Sequence, residues 1–208
     1  MNRRQIIVKW LSGATLGALV GAGVALAQAT PQGAQQATAR PDVAQIDKPV
    51  KDFKLRDITS EKGSTVSLSQ YKGKKAVVAV FLSYNCGTTW RYEKRLGKLM
   101  ADYGKKDVVF LGIHSNINET DDGMKKYAEA RNFDAPVLDD KNNSFAEYAG
   151  ARVTPTVLVI DKQGVLRYRG SFDETPDEAS AKQPFVANAL AALTSNKPVT
   201  VKTSRAFG

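Results

Sequence analysis

Cysteine and histidine are the scarcest chemistry-bearing residues of this chain, one of each in 208 residues. One cysteine excludes an intramolecular disulfide framework and a multi-cysteine zinc site. One histidine leaves too few nitrogen ligands for another transition-metal cluster, so no metal or other cofactor is expected. Acidic residues are also in deficit, with 21 Asp+Glu against 30 Lys+Arg and a formal net charge of +9. The lysines are nevertheless scattered among acids, and no cluster of arginines and aromatics suggests nucleic-acid binding. What remains is ordinary for a globular chain, 42% hydrophobic and 25% charged, which excludes wholesale disorder, collagen and a polytopic membrane protein.

The N-terminus carries Arg3, Arg4 and Lys9, then an apolar, small-residue stretch from Trp10 to Leu26 ahead of Ala27, Gln28 and Ala29. Positive charge, a short apolar run and a small-x-small site make a secretory signal peptide over 1–29, by the general or the twin-arginine route. The run is shorter than the roughly 20 residues that span a bilayer comfortably. The expected location is therefore exported and periplasmic, and only an uncleaved segment would tether the protein to a membrane. Residues 30–47 are rich in Gln, Ala, Pro and Thr without hydrophobic periodicity, and read as a flexible linker. One domain over 48–208 follows.

Two continuous apolar runs, Ala76 to Leu82 and Val108 to Ile113, suit strands covered on both faces. Between them Tyr92, Leu96, Leu99, Met100 and Tyr103 form one apolar helical stripe, with Gly104 as its stop. Strand, helix, strand is a βαβ unit. A second helix starts after Thr120 and a short one spans Ser144 to Tyr148. Thr156 to Ile160 and Val165 to Arg169, joined through Gly164, read as an antiparallel hairpin. Pro184 opens a last helix, and Phe53 to Leu68 supplies one or two leading strands. The fold class is α/β, a mixed sheet flanked by helices.

Cys86 follows a buried strand and directly precedes the main helix. A thiol there meets unpaired N–H groups and the positive end of the helix dipole, and both favour the thiolate. The alternative is a small residue filling a gap in the packing. Thr154-Pro155 directly precedes the hairpin, where proline starts a strand without breaking the ladder.

These features together resemble the thioredoxin-like superfamily, in the redoxin branch that holds peroxiredoxins and exported thiol-disulfide oxidoreductases. The resemblance runs through Val77 to Phe81, Asn85-Cys86-Gly87-Thr88-Thr89, Tyr92 to Leu96, Val109 to Ile113, Asp139, Thr154-Pro155, Val159 to Asp161, Gly164 and Leu166 to Gly170. It implies a thioredoxin-like fold with Cys86 as the attacking thiol. It also implies a cis Pro155 packed opposite that thiol, with the Thr154 backbone offered to a partner chain. Ser83, Asn85, Gly87 and Thr89 join Thr154 and Pro155 as supporting or partner-binding positions.

The departures from the family pattern matter as much. Where its oxidoreductases carry Cys-x-x-Cys, this chain has Thr89 in place of the second thiol. Where peroxiredoxins carry Pro-x-x-x-Thr-x-x-Cys, it has Ala79 and Ser83. The expected function is a thiol oxidoreductase in which Cys86 alone reacts with a peroxide or a disulfide and an external thiol resolves the product. Its partners would be thiol or disulfide proteins, or small peroxides and thiols. The alternative is a binding or assembly module whose redox chemistry has decayed, and an exported odd cysteine also permits a Cys86-linked homodimer. Other candidates have bland readings: His114 as a structural strand-end residue, Trp90 as a rim aromatic, Glu93 with Arg169 as a surface pair, and Asn118 to Thr120 as a chance glycosylation acceptor.

Overall fold

A computed structural model describes residues 43–208; the signal peptide read at 1–29 and most of the linker lie outside the described residues. The centre is a seven-stranded mixed sheet of β1 (Lys54–Asp57), β2 (Thr65–Ser67), β3 (Ala76–Phe81), β4 (Val108–His114), β5 (Val137–Asp139), β6 (Thr156–Asp161) and β7 (Leu166–Gly170), in the order β2-β1-β5-β4-β3-β6-β7. Every residue of β3 is buried, as an unbroken run of Val, Ala and Phe demands of a strand covered on both faces. It pairs parallel with β4 and antiparallel with β6. The sheet is thus the mixed one expected.

Alternate residues of β3 divide between two cores. Val78 and Val80 join Tyr92, Leu96 and Leu99 of α1 (Gly87–Tyr103), Met124 and Ala128 of α2 (Asp121–Ala130), and Val186 and Leu190 of α4 (Phe185–Thr194). Val77, Ala79 and Phe81 instead meet Phe145 and Ala149 of α3 (Ser144–Ala149) and the leading residues Val50, Phe53 and Leu55. The apolar stripe of α1 is the one the periodicity predicts. Its end differs: Gly104 keeps a right-handed φ of −55°, and Asp107 takes the left-handed position at φ 64° after a short 3₁₀ turn.

Three further findings differ from the sequence reading. Strand β5 was not expected, because Pro136 and Asp140 leave it three residues long, yet it joins β4 to β1. Residues 43–47, read as the end of the linker, are part of the fold. Ala44 is buried and its amide donates to the Tyr148 carbonyl, while Asp47 pairs with Arg167 and Lys202. Finally, the segment after α4 returns to β7, where the Arg169 amide donates to the Lys202 carbonyl and the Ser204 amide to the Arg169 carbonyl. Gly170 makes that approach possible, since a Cβ there would stand 2.8 Å from the Ser204 backbone.

Candidate active site

The register of the central strands builds the site. Phe81, the last residue of β3, stands opposite Thr156, the first of β6. The chain leaving β3 and the chain entering β6 therefore meet at one edge of the sheet. The first carries Ser83 to Cys86, the second Arg152 to Pro155. The Thr154–Pro155 peptide is cis and Pro155 is buried. The Cys86 sulfur lies 3.0 Å from the Thr154 carbonyl oxygen, to which the thiol donates.

Cys86 is the N-cap of α1, with φ −92° and ψ 112°. Extended backbone at that position turns the side chain across the first turn of the helix, where amides have no partner of their own. Its own amide donates to the Ser83 carbonyl at 3.3 Å, closing the turn that leads out of β3. The sulfur is half-buried. Burial pushes the thiol up, but hydrogen bonding from the Thr154 side chain, from the amide and hydroxyl of Thr89 and from the amide of Thr88 outweighs it. The thiol consequently titrates below the ordinary cysteine value. The S–H bond to the Thr154 carbonyl belongs to the protonated form and is lost on ionisation, so the net lowering comes from donors to the anion.

Thr89 occupies the position of the missing second cysteine. It is buried, and its hydroxyl has no hydrogen-bond partner while Cys86 is protonated. A buried hydroxyl without a partner is costly, and ionisation of Cys86 supplies one. The other predicted residues have distinct places. Ser83 is buried and its hydroxyl donates to Glu119 Oε1 at 2.6 Å; the amide of Asn85, an exposed residue, donates to the same oxygen at 2.8 Å. Gly87 opens α1 in open space, so neither steric demand nor backbone conformation requires glycine there.

The minor candidates fall out as follows. Trp90 is half exposed on the rim, and its indole donates to the Tyr84 carbonyl at 2.9 Å. Glu93 does not meet Arg169: it accepts from Tyr127 and pairs with Arg131, while Arg169 donates to the carbonyls of Ala44 and Ala149. Thr120, from the glycosylation-like triplet, caps α2 by accepting from the Gly123 amide. Glu119, from the same triplet, was missed by sequence reasoning. Its only signal was its place in the loop after β4, the neighbour of β3. Beside the site opens a cleft of about 240 Å³, lined among others by Ser83, Ser115, Asn116, Arg152, Val153 and Thr154. Among the described residues no group of three or more acidic, His or Cys side chains is placed to hold a metal ion.

A cysteine at a helix start, across from the Thr154–Pro155 loop at one edge of a mixed sheet, is the arrangement of a thioredoxin-fold protein of the thiol-dependent oxidoreductase class. The redoxin family model matches residues 45–185, and the chain belongs to that family. It is 25% identical to the thioredoxin-like protein YneN of Bacillus subtilis over 163 residues, 78% of this chain and 89% of the relative. It is 29% identical to the thiol-disulfide oxidoreductase ResA of Geobacillus kaustophilus over 119 residues, 56% of this chain and 63% of the relative. Among solved structures, an uncharacterized conserved protein from Geobacillus kaustophilus superposes with a TM-score of 0.70 at 28% identity, covering 77% of this chain and 87% of that one.

Proposed function

We propose that this protein is an exported thiol oxidoreductase that works through Cys86 alone, with Thr89 serving the thiolate as a hydrogen-bond donor. What carries the reading is the place of one half-buried sulfur, on the N-cap residue of α1 and 3.0 Å from the Thr154 carbonyl of the proline loop.

With a hydroperoxide, the thiolate attacks the terminal oxygen and the O–O bond breaks. Cys86 becomes the sulfenic acid, which keeps the proton of that terminal oxygen, and the alkoxide or hydroxide leaves and takes a proton from water. An outside thiol then condenses with the sulfenic acid, releasing water and leaving a mixed disulfide. A second outside thiolate attacks the outer sulfur, returning Cys86 reduced and two partner thiols oxidised. With a disulfide substrate the first step gives the mixed disulfide directly and expels one thiolate. Neither cycle needs a second cysteine in the chain.

The test is mass spectrometry of the mature protein after sub-stoichiometric hydrogen peroxide or oxidised glutathione. The expected result is an oxygen or glutathione adduct confined to Cys86, formed faster than on a free cysteine at neutral pH, the direction a lowered titration gives. No adduct under conditions that modify free cysteine counts against the reading. Partner capture by Cys86→Ser at full strength would then favour the binding module, and a dimer seen only on non-reducing gels would favour the Cys86-linked pair.

A further inference from the structure

Close behind the site lie two ionisable side chains that the chemistry above does not use. Glu119 and His114 both have fully buried side chains. One Glu119 oxygen accepts from the Ser83 hydroxyl and the Asn85 amide. The other has no hydrogen-bond partner and faces His114 Nδ1 at 3.7 Å, and neither ring nitrogen of His114 is hydrogen-bonded. Around the pair stand Asp121 from the start of α2, Asp139 from β5 and Lys141 beyond it, with Arg56 of β1 paired to both aspartates.

A carboxyl group removed from water depends on the few donors that reach it. Among the described residues, the Glu119 side chain finds its only two hydrogen-bond donors in the turn that presents Cys86. Asn85 is the residue before the thiol, and Ser83 is the residue whose carbonyl takes the Cys86 amide. The orientation of the helix-start cysteine is therefore tied to a buried carboxyl group on a different loop.

We infer that Glu119 is a positioning residue for Cys86, clamping the Ser83–Asn85 turn so that the sulfur stays aligned with the helix-start donors and the Thr154 carbonyl. The consequence for reactivity rests on the thiol reading; the clamp itself does not. A through-space effect would have the opposite sign, because removing a nearby negative charge makes a thiol ionise more readily. Loss of a clamp makes it ionise less readily, since the anion loses its aligned donors.

The experiment compares the full chain with Glu119→Gln and Ser83→Ala, following thiolate formation by ultraviolet absorbance across pH and the rate of alkylation by iodoacetamide at neutral pH. The clamp predicts a midpoint raised by about one unit in Glu119→Gln, with alkylation slowed by up to about tenfold, and a smaller rise in Ser83→Ala. A midpoint unchanged or lowered in Glu119→Gln overturns it. If Glu119→Gln does not fold, Ser83→Ala decides by the same criterion. The absorbance titration needs no reactive sulfur, so the two proposals fail separately. A wild-type thiol inert to peroxide and disulfide, but with a midpoint that rises on substitution, removes the proposed function and keeps the clamp. A reactive thiol with an unmoved midpoint does the reverse.

Discussion

Thr89 separates two effects that usually travel together. Its hydroxyl is buried without a partner in the protonated state, and it lowers the Cys86 titration by donating to the anion. Thr89→Val keeps the shape and removes both effects. Equilibrium unfolding at a pH where Cys86 is protonated should show it stabilised by about 1 kcal/mol, because an unsatisfied group is gone. The thiol midpoint should rise by about half a unit or more. The position of Cys86 at a helix start was legible from its neighbours along the chain, since an apolar run before it and a 3.6-residue stripe after it fix where the helix begins. Thr89 was legible only as a departure from the family pattern. Glu119 was not, because its partners lie more than thirty residues earlier and nothing in the local sequence distinguishes it from any loop acid.

At the scale of elements, the long runs decided what could be read. Strands β3 and β4 and helix α1 each carry a continuous or periodic apolar pattern, and all three form where that pattern puts them. Strand β5 carries only Val137, Leu138 and Asp139, too short for any period to register, and it forms because β4 and β1 leave a gap that two apolar side chains fill. The segment returning along β7 has the same character. It has no strand pattern and is held by Arg169 and by the Ser204 hydroxyl, which lies 2.7 Å from the Tyr168 hydroxyl and accepts from the Ser171 amide at 3.0 Å. Gly170→Ala would drive a methyl group into the Ser204 backbone. The expected result is a loss of about 1–3 kcal/mol in chemical denaturation, together with earlier proteolytic cleavage of the segment after α4. Gly164→Ala serves as a control, because it strains a turn at φ 80° without touching that segment.

For the molecule as a whole, the single histidine makes pH a clean probe. Burial lowers the His114 titration below 6.5, with the nearby Lys141 adding to it and Glu119, Asp121 and Asp139 opposing. The unfolded chain therefore takes up the proton first as pH falls. Stability is fully present above 6.5, and it declines below that value until the folded state also protonates. The decline is at most about 1.4 kcal/mol per pH unit. Thermal unfolding followed from pH 7 to 5 should show this slope in the wild type, and His114→Gln should flatten it. Below about pH 4 Asp52 and Asp121, both held under the usual carboxylate value, add a separate loss that the substitution leaves intact. Apolar patterning was enough to give the α/β class, whereas the pairing of a thiol with a distant proline loop was legible only through the family resemblance. Both were silent on the buried Glu119 and its partners, because burial of a polar group depends on what the rest of the chain brings to it.

The placement of β3 between a parallel and an antiparallel neighbour also has a kinetic consequence. Its amides are locked on both sides, so no fraying from an edge can release them, and exchange with deuterated solvent has to wait for the entire sheet to come apart. The slowest-exchanging hydrogens should map to Ala76–Phe81, and their rate gives the global opening free energy of a protein whose single cysteine sits only five residues downstream of that strand.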